Sequence, residues 1–193
     1  LLGLRRLIGV MDRLRGDGGC PWDRVQTQSS LRAYLLEEAY ELLEVLDAQD
    51  DVKIREELGD LLLQVVFHSR IAEDNPKGAR YDLGDVANGI TDKLVRRHAH
   101  VFQMGQALQT PEEVLVAWTE HKRQEGRKSV LDGVPVALPA LLRAQRIQTK
   151  AARVGFDWPD PSGPLGKIEE ELEELKVEVA KGDQTRIGEE LGD

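Results

Sequence analysis

Apolar residues recur every three or four positions along most of the chain, the period of helices that bury one face. Leu4, Leu7, Ile8, Met11 and Leu14 predict an amphipathic helix over residues 2–15, ended by Gly16, Gly18 and Gly19. A turn-rich loop follows, Gly19-Cys20-Pro21-Trp22-Asp23, where Pro21 disfavours helix and Trp22 offers a large apolar anchor. Ser29 or Ser30 is placed to cap the next helix, about residues 30–48, with Leu35, Ala39, Leu42 and Leu46 on one side, widened by Leu36 and Leu43. At about 100° per residue, Glu37, Glu41 and Glu44 fall opposite this stripe and Glu38 lies at its edge. Asp47, Asp50 and Asp51 make a short polar connection to a second helix over residues 52–73. Its middle, Leu61 to Phe67 interrupted by Gln64, is apolar nearly all round, which predicts a helix enclosed by protein.

Further helices are predicted over residues 83–98, with Leu83, Val86, Ile90 and Leu94 as the stripe, and over 111–125, starting at the favoured first-position Pro111. Residues 126–139, with Gly126, Gly133, Pro135 and Pro139, read as a linker. Beyond it Leu141, Leu142, Ile147, Ala151 and Val154 predict another helix, then an aromatic turn at Gly155-Phe156-Asp157-Trp158-Pro159 and an acid-rich helix from about 165. The expectation is an all-α protein.

The order helix, tryptophan loop, acid helix, second acid pair occurs twice. Residues 170–193 lie on residues 37–60 at a constant offset of 133 with no gap, so Glu170, Glu171, Glu174, Glu189, Glu190 and Asp193 fall on Glu37, Glu38, Glu41, Glu56, Glu57 and Asp60. The expected organisation is a repeat over 1–125, the linker 126–139, and the start of a second repeat over 140–193. The missing initial Met and the end inside the second copy lead us to expect part of a longer protein.

Composition narrows the picture. A formal charge of −9 and a pI near 5.1 argue against broad binding to nucleic acid polymers or anionic membranes, which are themselves negative. Charged residues make up 32 % and aromatics 5 %, a balance that favours helix over sheet. No apolar run approaches a bilayer span, and Cys20, the single cysteine, cannot form an internal disulfide, so a cytoplasmic protein is expected.

Carboxylates at i, i+3 share a helix face. Glu38 with Glu41 and Glu57 with Asp60 are therefore two pairs on successive helices, and antiparallel packing would bring them together. Two readings fit: solvent-facing acids balanced by Arg and Lys, or a site for Mg²⁺ or Mn²⁺, which prefer carboxylate, water and phosphate oxygen. The duplication, and the position of Glu57 and Asp60 beside an apolar run where an unpaired carboxylate is costly, favour the cation. Ferritin-like di-iron chemistry needs Glu-x-x-His, and none of His68, His98, His100 and His121 has Glu three positions before it. Lys93, Arg96 and Arg97 could add positive charge for a polyphosphate.

Taken together, Gly19-Cys20-Pro21-Trp22-Asp23 with Gln26-Thr27, the Glu37-Glu38-x-x-Glu41 and Glu57-x-x-Asp60 acids, Arg96-Arg97-His98-Ala99-His100-Val101-Phe102, and Leu138-Pro139-Ala140-Leu141 through Trp158 resemble the MazG nucleoside triphosphate pyrophosphohydrolases of the all-α NTP pyrophosphatase superfamily. Ala99 stands where that family usually has Pro. The resemblance implies Mg²⁺-dependent hydrolysis of NTPs and dNTPs to monophosphate and pyrophosphate, and a role in cleaning nucleotide pools. It further implies a duplicated helical module whose bundle core is completed by homodimerisation or a higher homo-oligomer. Glu38, Glu41, Glu57 and Asp60 would be metal ligands, Glu37 an auxiliary acid, and Lys93, Arg96 and Arg97 phosphate-facing. The second repeat would offer Glu171, Glu174, Glu190 and Asp193. An alternative expectation makes the first repeat a non-catalytic dimerisation scaffold, with catalysis in the second.

Overall fold

The computed structural model describes residues 2–75, 78–102, 108–124 and 129–192, the side chains of 119–124 excepted. Asp193 and residues 126–128 of the expected linker lie outside the described residues. All regular structure among the described residues is helical: α1 (Leu2–Arg15), α2 (Pro21–Val25), α3 (Arg32–Ala48), α4 (Asp51–Glu73), α5 (Leu83–Arg97), α6 (Ala99–Phe102), α7 (Pro111–Gln124), α8 (Ala140–Ala152), α9 (Ser162–Lys181) and α10 (Gln184–Glu190). The chain forms two compact units, residues 1–109 and 110–193.

In the first unit α3 and α4 form an antiparallel hairpin, with α1 and α5 packed on α4. Only Gln49 and Asp50 separate the two helices. Gln49 takes the left-handed conformation that ends a helix (φ 55°), and its N–H donates to the Leu46 and Val45 carbonyls. The Asp50 carboxylate then accepts from the Val52 and Lys53 amides at 3.2 and 3.1 Å, capping α4.

Met11, Leu31, Val66 and Phe67 are the buried centre, with Leu7, Ile8, Leu63, Ile71 and Leu83 packed around them. Arg15, its side chain 6 % exposed, fastens the end of α1 to this core. Its guanidinium lies 5.4 Å from the Phe67 ring centre, pairs with Asp74 at 3.3 Å and donates to the carbonyls of Asp23 and Gln26. Trp22 meets Tyr34 and Phe67 edge-on, with ring centres 5.8 and 6.4 Å apart.

Three local expectations are altered. The aromatic loop contains a short helix, because Pro21 sits at a first-turn position where its missing N–H costs nothing. Ser29 and Ser30 do not cap α3. Instead the Ser30 Oγ accepts from the Thr27 amide and donates to Gln26, closing a separate turn before the helix. Nor is α4 enclosed on all sides: Leu62 and Val65 remain 41 % and 39 % exposed, because α1, α3 and α5 do not cover that face.

The second unit repeats the hairpin with α9 and α10. Gly182 (φ 74°) and Asp183 take the places of Gln49 and Asp50, and Asp183 accepts from the Thr185 and Arg186 amides at 3.1 and 3.2 Å. Residues 129–139 precede α8, and Lys150 of α8 donates to the Asp132 carbonyl at 2.7 Å.

Replacing Phe67 by Ala is expected to lower the stability of the first unit by about 3–5 kcal/mol, and Asp50→Ala by about 1 kcal/mol, both read from urea unfolding. A Phe67→Ala midpoint equal to the parent's would mean that this core does not hold the unit together.

Candidate metal centre

The two-residue turn sets the register of the acids. Glu41 precedes Gln49 by eight residues and Glu57 follows it by eight; Glu38 precedes it by eleven and Asp60 follows it by eleven. Since both helices rise about 1.5 Å per residue, each pair stands level across the hairpin. One carboxylate oxygen from each of Glu38, Glu41 and Glu57 lies within 4.8 Å of the others. Glu38 and Glu57 are half-buried, and Glu41 is exposed. Asp60 is not in this close group, yet its charge acts on both Glu38 and Glu57. Glu37 and Glu44 are exposed and outside it.

Helical spacing alone puts Glu41 opposite the apolar stripe, but in the structure it converges with Glu38. The half-buried positions of α3 are Glu38, Ala39, Leu42 and Val45, whereas Leu35, Leu36, Leu43 and Leu46 stay exposed. The helix is therefore turned so that its mixed polar and apolar edge meets α4, and part of the apolar stripe is left uncovered.

Burial, and then crowding, makes Glu38 and Glu57 harder to ionise. Burial raises Glu38 above the ordinary glutamate range, and the charges of Asp60, Glu41 and Glu57 push it further; the nearby Gln64 amide works the other way. Glu57 is raised by desolvation, then by Glu41, Asp60 and Glu56, against the opposing ammonium of Lys53. A hard divalent cation would relieve this repulsion, and an all-carboxylate oxygen set fits one. Lys93, Arg96 and Arg97 lie on α5, whose packing against α4 leaves Lys93 and Arg96 exposed and Arg97 half-buried.

The second hairpin carries the same constellation. Carboxylate oxygens of Glu171, Glu174 and Glu190 likewise lie within 4.8 Å of one another, with the same order of burial. One neighbour that differs is Lys167, at the position of Tyr34 in the first copy, which pairs with Glu170 at 2.9 Å and Glu171 at 3.0 Å. These hydrogen bonds raise the Lys167 ammonium above its ordinary range, Glu170 contributing first and Glu171 second.

In the sequence Gln64 is visible only as a break in an apolar run. Its spacing of seven from Glu57 and four from Asp60 is the available signal, since it places all three on one face of α4.

Carboxyl-carbon NMR on the metal-free protein should find Glu38 and Glu57 titrating above ordinary glutamates, with the Glu38 midpoint falling in Asp60→Asn. The folded chain holds these protons more tightly than the unfolded one. Their contribution to stability is therefore greatest at low pH and is lost as pH rises through the raised titration ranges. An ordinary Glu38 midpoint would contradict the crowding.

Among the described residues, no helix is long and apolar enough to cross a membrane. Residues 26–102 match the model of the MazG nucleotide pyrophosphohydrolase domain. The nucleoside triphosphate pyrophosphohydrolase of Escherichia coli K12 is 43 % identical over 195 residues, an alignment covering 97 % of this chain and 73 % of that protein. The nucleoside triphosphate pyrophosphohydrolase/pyrophosphatase MazG of Thermotoga maritima is 47 % identical over 190 residues, covering 97 % and 70 %. A nucleoside triphosphate pyrophosphohydrolase of Mycobacterium tuberculosis is 44 % identical over 150 residues, covering 77 % and 45 %. With the paired acid hairpins and the match along nearly its whole length, the chain belongs to the MazG nucleotide pyrophosphohydrolase family.

Proposed function

We propose that this protein hydrolyses nucleoside and deoxynucleoside triphosphates to the monophosphate and pyrophosphate, with Mg²⁺ held by Glu38, Glu41, Glu57 and Asp60, Mn²⁺ being an alternate cation. The observation that carries the reading is the convergence of the Glu38, Glu41 and Glu57 carboxylates across the α3–α4 hairpin, in a chain whose relatives are named for that activity. In the reaction, water attacks the α-phosphorus, the bond to the bridging oxygen breaks, and pyrophosphate leaves. Bound Mg²⁺ would neutralise charge on the phosphate oxygens and lower the pKa of the attacking water. One of the site carboxylates accepts the water proton, Glu37 serves as an auxiliary acid, and Lys93, Arg96 and Arg97 face the phosphates. The role is removal of unwanted nucleotides from the pool of a cytoplasm.

A homodimer, or a higher homo-oligomer, belongs to the same reading. Leu36, Leu43, Leu58 and Leu62 are each at least 41 % exposed on the hairpin that carries the acids, an apolar surface that suits a second copy. A second assignment of the chemistry is favoured by the duplicate cluster of Glu171, Glu174 and Glu190: the first repeat would be a dimerisation scaffold and the second the catalytic one.

Glu38→Gln and Asp60→Asn should each lower pyrophosphate release from a panel of NTPs with Mg²⁺ by more than about 100-fold, with helix content by circular dichroism unchanged. Full activity in both variants, with loss of activity in Glu171→Gln, would transfer catalysis to the second repeat. Light scattering at micromolar concentration should report a dimer or larger; a monomer would remove the oligomer from the proposal.

A further inference from the structure

The three lysines of α9 do not sit alike on their helix. Lys176 and Lys181 each follow the glutamate they pair with by three residues, Glu173 at 2.7 Å and Glu178 at 2.6 Å. That order suits a helix, because the carboxylate lies toward the positive N-terminal end and the ammonium toward the negative C-terminal end. Lys167 has the reverse order. It precedes both of its partners, reaching the Glu170 and Glu171 oxygens at 2.9 and 3.0 Å. The helix dipole gives this order no support, so what holds the ammonium in place is the pair of carboxylates.

Those carboxylates differ in setting. The Glu170 side chain is 53 % exposed, whereas that of Glu171 is 22 % exposed and belongs to the close group with Glu174 and Glu190. The ammonium therefore stands on a member of the second acid centre itself. At the first centre the corresponding position is Tyr34, an uncharged residue whose ring packs edge-on against Trp22. Glu38, Glu41 and Glu57 form no ion pair with a described residue. A divalent cation bound through Glu171 would lie a few ångströms from the Lys167 ammonium, well inside the Debye length of about 8 Å at physiological salt. The two positive charges would then oppose each other.

We propose that Lys167 is the resident counter-ion of the second acid centre: its ammonium neutralises Glu171 in the metal-free protein and leaves that carboxylate when a divalent cation binds, which raises the cation concentration this centre needs. The inference rests on the reading of the second cluster as a cation site. Ion pairs between partly exposed side chains are weak, so Lys167 sets a threshold for the cation and does not block it.

The test uses the full chain carrying Glu38→Gln and Glu41→Gln, which removes the first acid cluster, with Mn²⁺ as the calorimetric probe. Lys167→Met is expected to tighten Mn²⁺ binding by about two- to five-fold, the ordinary strength of such a pair. Lys167→Arg, which keeps the charge, and Lys181→Met, which removes an equal charge from the far end of α9, are expected to bind as the parent does. Unchanged or weaker binding in Lys167→Met, beside clear binding by the parent, overturns the proposal and spares the cation site. An equal gain in Lys167→Arg or Lys181→Met also overturns it, because the effect would then not depend on the charge held at Glu171. No binding by the parent overturns the cation reading, and the counter-ion role with it. A second measurement needs no lysine variant: on saturation with Mg²⁺ the side-chain nitrogen NMR signal of Lys167 should move toward that of an unpaired lysine, and an unmoved signal overturns the proposal whatever the calorimetry gives.

Discussion

Carboxylates on neighbouring helices meet only if the helices share a register, and here that register is imposed by a turn of two residues. Gln49 leaves the helix through the left-handed region, and Asp50 caps the next helix with its side chain. No slack remains for one helix to slide along the other. The acids at eight and eleven residues on either side are therefore brought level, and the same turn chemistry at Gly182 and Asp183 does this again in the second unit. The positive φ is free of steric cost at Gly182 and strained at Gln49, yet the geometry is alike.

Bringing the acids level has an electrostatic cost, which the structure places beside its strongest packing. Glu57 and Asp60 precede the stretch of α4 that contributes Val66 and Phe67 to the core, and Arg15 stacks over Phe67 from the other side. Burial and then mutual repulsion raise Glu38 and Glu57 without opening the hairpin, because separating the helices would also expose apolar contacts further along α4. The candidate site and the core are thus divided along one helix, with the acids at its beginning and the core in its second half. Gln64 lies at the boundary between them.

The uncovered apolar residues of α3 and α4 are the counterpart of this division. A helix that presents Glu38, Leu42 and Val45 to its neighbour cannot also present Leu36 and Leu43, which lie around its circumference. In the second unit Leu165, Ile168 and Val179 of α9 are likewise exposed. Both hairpins therefore carry acids and unpartnered apolar side chains on the same short elements.

The sequence by itself determined the longer helices, their approximate ends, the pairing of acids at three-residue spacing and the duplication at an offset of 133, because each depends on contacts within a few turns of one chain segment. It also carried the family motifs. It did not determine the rotation of each helix about its axis. Helical periodicity marks which residues share a face, but α3 and α4 are apolar over so much of their surface that several rotations bury similar area. Tertiary packing chose among them. It brought Glu57 beside the Glu38–Glu41 pair, left Leu62 and Val65 exposed, and buried Gln64 next to the core residues Leu63, Val66 and Phe67. Those outcomes depend on what lies across the hairpin, and a residue's spacing along its own helix holds no information about the side chain that will face it from another.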